Sequence, residues 1–145
     1  MMKRVLLFVF ALSVCTYAKA QTISKLTITD NLASSSKFGY GKPKPAAAKE
    51  EFEMIEEKGT QVLFYADVAP SEELPDIYKL LFTAYKINSG KDEWIDERIL
   101  DVKKTSTYAL TAVNFFDSGI YKIVITRNDN KDDILAEGNF TILKN

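Results

Sequence analysis

Beyond residue 20 the chain is built of short runs in which large apolar side chains return at every second position. In QVLFYADV, residues 61–68, Val62, Phe64, Ala66 and Val68 fall on one side and Leu63, Tyr65 and Asp67 on the other. Leu26 and Ile28 are two apart in ISKLTITD (23–30). Tyr108, Leu110 and Ala112 alternate within 105–116, and Phe140 and Ile142 within 134–143. Successive side chains of a strand point to opposite faces, so period two is the signature of a half-buried strand. Residues 120–126, IYKIVIT, are strongly β-branched. Residues 77–87, IYKLLFTAYKI, are apolar on both faces, as a central strand requires.

Turn clusters separate these runs. EEKGT (56–60), APSEELPD (69–76), NSGKD (88–92) and RNDNKDD (127–133) combine Gly, Pro, Asn and Asp. The spacing predicts a short strand over 52–55 and a polar hairpin turn over 127–133. EWIDERILDV (93–102) fits a short helix about as well as a strand. A strand with bends is preferred, because its neighbours are strands and no N-cap box precedes it. The total is seven to eight short strands with no amphipathic helix, internal repeat, heptad or GxGxxG. An antiparallel β-sandwich buries one face of each such strand, and an eight-stranded lipocalin-like barrel is the main rival.

Residues 1–20 are expected to be a signal peptide. Met1-Met2-Lys3-Arg4 is a positive start, residues 5–14 are apolar, and Ala18-Lys19-Ala20 is a small-x-small cleavage site, so the mature chain begins at Gln21. Ten apolar residues are too few to span a bilayer. LSVC (12–15) resembles the lipobox of bacterial lipoproteins, in which Cys15 would be lipidated. Val14 stands where a small residue is usual, and the intact Ala-x-Ala site favours secretion or a periplasmic location over the lipid anchor. A membrane partner is therefore expected only if Cys15 is lipidated.

The remainder, 21–145, is one domain's length. Residues 31–51, NLASSSKFGYGKPKPAAAKEE, form a long extended connection within it, since each proline fixes its own φ and restricts its predecessor. The chain has 19 basic and 20 acidic side chains. Lys3, Arg4 and Lys19 lie in the leader, which carries no acid, so the remainder holds 16 against 20, a net charge of −4. That gives no footprint for nucleic acid. Cys15 is the only cysteine, so the mature chain has no disulfide. Histidine is absent, which removes Ser-His-Asp and Cys-His catalysis and His-based zinc or copper sites.

The stretch NFFDSGIYKIVIT (114–126) narrows the fold. Asp117-Ser118-Gly119-Ile120-Tyr121 has the form Asp-x-Gly-x-Tyr and resembles the strand start of immunoglobulin-like domains. The resemblance implies that Tyr121 folds back at a corner and bonds upstream backbone, while Gly119 allows a positive-φ bend. It further implies that Ile123, with Phe64 or Ala66 opposite, stands where other members carry a disulfide. Trp94 lies too near Tyr121 to be their buried tryptophan, a role left to Leu81 or Phe82. The resemblance is thus to disulfide-free, exported bacterial immunoglobulin-like domains.

Candidate binding residues are few. Phe38, Tyr40, Lys42 and Lys44 form an aromatic and basic loop that could contact a partner, although one ring anchoring the connection is the plainer role. Trp94, among Asp92, Glu93, Asp96 and Glu97, could stack on a sugar or act as a protein hot spot. The plainer role is a half-buried strand residue with a solvated acidic rim. NDNKDD (128–133) alternates oxygen ligands but lacks the glycine and glutamate of a calcium loop, so no metal site is read there. Asn139-Phe140-Thr141 is a sequon inside a predicted strand. No carboxylate pair stands out, and no catalytic residue or cofactor is assigned. The expectation is an exported, non-catalytic binding or structural module of the cell envelope, contacting a protein through a sheet edge or end loops. A carbohydrate-binding accessory module and a lipocalin-like small-ligand carrier are the alternatives.

Overall fold

The alternating runs all become strands. The computed structural model describes residues 22–33 and 43–145. The segment read as a signal peptide, with Cys15, and Phe38, Tyr40 and Lys42 of the candidate loop lie outside the described residues. The strands are β1 (Ile23–Thr29), β2 (Leu32–Ala33), β3 (Lys44–Pro45), β4 (Glu51–Glu53), β5 (Thr60–Val68), β6 (Ile77–Asn88), β7 (Lys91–Lys103), β8 (Tyr108–Phe115), β9 (Gly119–Arg127) and β10 (Asn130–Leu143). One sheet has the order β1-β5-β8 and the other β4-β10-β9-β6-β7, while β2 and β3 form a separate two-residue ribbon. Eight strands therefore make an immunoglobulin-like antiparallel sandwich, and the rival barrel does not form. β4 is the exception to the antiparallel rule, since it runs parallel to β10.

This topology gives the connection after β1 a task. β1 belongs to the first sheet and β4 to the second, so the intervening chain must cross between them. Its return arm is tied beside the end of β1. The Lys49 amide donates to the Ile28 carbonyl at 2.9 Å, the Thr29 hydroxyl donates to the Ala47 carbonyl at 3.1 Å, and the Lys49 amine meets Asp30 at 2.8 Å. That bond from Lys49 holds the Asp30 carboxyl below the usual carboxylate range.

Both inner faces are apolar at every second residue, so the space between the sheets is filled by side chains. Val62, Phe64, Leu80, Phe82, Ile123 and Ile125 are all buried in one cluster. Of the two residues weighed for the role of the buried tryptophan, Phe82 faces the core and Leu81 points to the opposite face of β6. Phe140, on β10, is the hub of the rings. Its centroid lies 5.8 Å from Phe52, 5.7 Å from Phe64, 5.2 Å from Phe115 and 5.6 Å from Tyr121. At the corner between β8 and β9 the Tyr121 hydroxyl donates to the Asp117 carbonyl at 2.6 Å.

The strand with bends preferred over 93–102 is what forms, whereas the turn over 127–133 differs from the sequence reading. Residues 93–102 lie within the single long strand β7, which settles the helix-or-strand ambiguity. β7 is bent by a register shift, because Ala84 pairs Asp96 but Tyr85 pairs Trp94, leaving Ile95 as the extra residue. The turn placed over 127–133 shrinks to Asn128 and Asp129, with β10 resuming at Asn130. Neither turn residue has positive φ. A tight turn of that kind splays the strands against their natural twist. β10 accordingly shows two register irregularities before its regular ladder begins at Ala136. By contrast, the β6–β7 turn has positive φ at both Ser89 (51°) and Gly90 (77°), the type that suits a two-residue hairpin.

Candidate functional site

The outward face of the five-stranded sheet is where the surface departs most from a plain solvated strand layer. Residues directly opposite across a sheet share a face, so the register lays out three rows. The first runs Trp94, Tyr85, Lys122 and Asn139 across β7, β6, β9 and β10. The second is Glu97, Thr83, Val124 and Glu137, and the third is Ile99, Leu81, Thr126 and Ile134. Leu81, Thr83, Val124 and Thr126 are buried although they face outward, because larger neighbours wall them in. Trp94 (56% exposed), Ile99 (53%) and Ile134 (55%) stand proud at the margins. A contiguous set of this kind on a small monomer marks a contact surface more often than scattered exposed apolar residues do.

Irregular backbone puts the wall residues there. Trp94 and Glu97 are three apart and in an unbroken strand would face opposite ways. The extra residue Ile95 turns inward against the core and brings both to the outer face. Leu135 does the same on β10, so that Ile134 and Glu137 also share the outer face. Bulges that re-aim side chains are a recurrent device at sheet edges and binding sites.

Between the walls lies a groove of about 390 Å³, floored by Leu81, Thr83 and Val124. Its electrostatics centre on Lys122. The Lys122 amine donates to the Asp92 carboxylate at 2.5 Å and lies 5.5 Å from the centroid of the Tyr85 ring. The bond to Asp92, with the nearby Glu137 charge, raises the Lys122 pKa. Glu97 and Glu137 flank the middle row from opposite sides. Neither carboxylate is in a hydrogen bond or close ion pair among the described residues. In the floor, the buried Thr126 hydroxyl has no hydrogen-bond partner among the described residues.

The structure splits the acidic cluster read from the sequence. Asp92 and Glu97 line the groove, Glu93 takes a hydrogen bond from the Asn88 side chain, and Asp96 pairs with Arg98 at 2.9 Å. Trp94 is exposed rather than half-buried. Lys44 is exposed on the β2–β3 ribbon, outside the sheet that carries Trp94, and the structure does not bring the two together. The remaining loop candidates, Phe38, Tyr40 and Lys42, lie outside the described residues. Sequence reasoning passed over Tyr85, Ile99, Lys122 and Ile134. The available signal was the apolar character of β6 and β9 on both faces, where a covered core explains only one. A larger hollow, about 630 Å³, lies beside β4. Its ring, Phe52, is buried under the Lys49 amine at 5.3 Å, so it offers no aromatic surface.

Comparisons with known proteins bear on the fold alone. No family model matches the chain, and no curated protein does. Among solved structures, an immunoglobulin-like protein from Pseudomonas aeruginosa superposes with a TM-score of 0.52 at 15% identity, covering 87% of this chain and 99% of that one. A superoxide reductase from Ignicoccus hospitalis reaches a TM-score of only 0.41 at 9% identity, covering 89% and 85%, too remote a likeness to carry chemistry. The class defined by topology and neighbour is the immunoglobulin-like β-sandwich.

Proposed function

We propose that this chain is an exported, non-catalytic binding module of the cell envelope that meets its ligand with the outward face of the five-stranded sheet. The observation that carries the reading is the exposure of Trp94 and Ile134 on the walls of a groove floored by Leu81, Thr83, Val124 and Thr126, with Ile99 exposed in the row beside it. The face replaces the sheet edge as the contact surface. The long edge strand β7 presents eight charged side chains in 13 residues and is interrupted by a bulge. Charges and bulges are the means by which edges are kept from pairing with other strands. A leader ending at Ala20 and a net charge of −4 without it accord with a domain released into the envelope or exterior.

The test uses the chain expressed with its own leader and recovered from the exported fraction. Its intact mass should correspond to a chain starting at Gln21; a mass carrying acyl groups on Cys15 would instead place it on a membrane. Wild-type protein should be retained by envelope material from its source cells. A variant combining Trp94→Ala, Ile99→Ser and Ile134→Ser should lose at least about 90% of that retention, because a few large side chains carry most of the energy of a contact. Lys44→Ala should be retained like wild type. Equal retention of the face variant would show that another surface binds.

A further inference from the structure

The chemistry of the groove selects a class of ligand. A pyranose ring combines a face of C–H bonds with a girdle of hydroxyls, each both donor and acceptor. Trp94 supplies the matching platform. It is the only tryptophan in the chain, is more than half exposed, and stands directly opposite Tyr85, whose ring is occupied by the Lys122 amine. The indole is thus the open aromatic surface of the groove. Carboxylates are acceptor-only groups, and Glu97 and Glu137 offer oxygens engaged by no partner among the described residues. Lys122 and Asp92 hold each other in place and present a donor and an acceptor side by side. The Thr126 hydroxyl is a separate observation. The residue is 5% exposed and lines the groove, and its shielded hydroxyl has no hydrogen-bond partner among the described residues.

A protein partner fits this groove less well. The centre of a protein–protein contact is depleted in Lys, Glu and Asp. Here Asp92, Glu97, Lys122, Lys131 and Glu137 all line the depression beside Trp94. Their formal charges sum to −1, so the groove has no strong preference for an anion. Its volume of about 390 Å³ falls in the range of small-molecule sites, roughly 300–1,000 Å³. We infer that the groove between Trp94 and Glu137 binds a pyranose unit of an oligosaccharide, with the indole stacked on the ring and the flanking carboxylates and Lys122 bonded to its hydroxyls. This rests on the outward face being the binding surface.

A single tryptophan makes the site its own reporter. The exported chain is titrated with cello-, xylo-, manno- and chito-oligosaccharides while the Trp94 emission is followed, and binding is confirmed by calorimetry. At least one series should give a saturable change. Trp94→Ala should weaken binding calorimetrically at least about tenfold, Glu97→Gln and Glu137→Gln severalfold, and Lys44→Ala not at all. Absence of a saturable response to every series overturns the inference. So does a sugar whose binding survives Trp94→Ala, or a Lys-rich peptide that binds where all sugars fail. If sugars fail while the triple face variant still loses envelope retention, the saccharide is wrong and the face remains the binding surface. If that variant is retained like wild type, the face itself is wrong.

Discussion

Phe140→Ala should destabilise the fold by about 3–5 kcal/mol, the usual cost of removing a buried phenylalanine. The side chain is 2% exposed and sits where rings from four other strands and both sheets converge. Phe64 and Phe115 come from the first sheet, and Phe52 and Tyr121 from the second. Deleting the hub takes an edge-on neighbour from Phe52 and Phe115, a tilted one from Phe64 and a stacked one from Tyr121, and leaves a cavity that four aromatic walls cannot close without leaving their own rotamers. No intramolecular disulfide limits the loss, because Cys15 is the only cysteine. Against a typical total of about 5–15 kcal/mol, the variant should melt about 10–20 °C lower. Denaturant titration checks this. Phe140→Leu, which keeps most of the volume, should cost well under half as much, and Ile55→Ser at an exposed position should stay within about 0.5 kcal/mol of wild type. A Phe140→Ala shift below about 1 kcal/mol would mean that the rings do not form a common core.

The period-two pattern carried most of this architecture. Val62, Phe64, Ala66 and Val68 could be placed on an inner face from sequence because an antiparallel strand leaves one side to the core. The same logic failed at the groove. Trp94, Glu97, Ile134 and Glu137 share a surface only because Ile95 and Leu135 break the alternation, and an unpaired extra residue leaves no mark in composition. Lys122 could not be read as a site residue either. Its partner Asp92 is 30 positions away, and only the order β10-β9-β6-β7 makes them neighbours. The turn at 128–129 was drawn too long for a related reason. Asp132 and Asp133 are turn formers by type, yet they lie in the irregular stretch of β10 between the Asn130 and Ile134 pairings. What the sequence did mark locally was the corner at 117–121, where glycine, aspartate and tyrosine act within a few residues of one another.

That corner supplies the second large effect. Tyr121→Phe keeps the ring and its contacts with Phe115 (4.7 Å) and Phe140 but removes the hydroxyl that donates to the Asp117 carbonyl. The phenol is part of the core, 2% exposed, and its bond closes the link from β8 to β9. Losing it should cost about 1–3 kcal/mol, the penalty for stranding a shielded acceptor. The same group gives a pH signature. Burial first, then the charges of Asp117 and Glu93, pushes its pKa up to about 12 from 10. A folded-state pKa above the unfolded one means that the fold prefers the protonated phenol. This contribution is fully present below about pH 10 and is lost as pH climbs from 10 towards 12. The raised pKa of Lys122 adds a loss of the same sign at high pH, but it is present in both proteins and cancels in their comparison. The stability gap between wild type and Tyr121→Phe should therefore be constant from pH 6 to 9 and narrow above pH 10. Paired denaturant titrations across that range decide it. A gap that stays constant to pH 12 would show that the phenol is not held protonated by the fold, and a gap near zero at neutral pH would remove the corner bond from the account of what joins the two sheets.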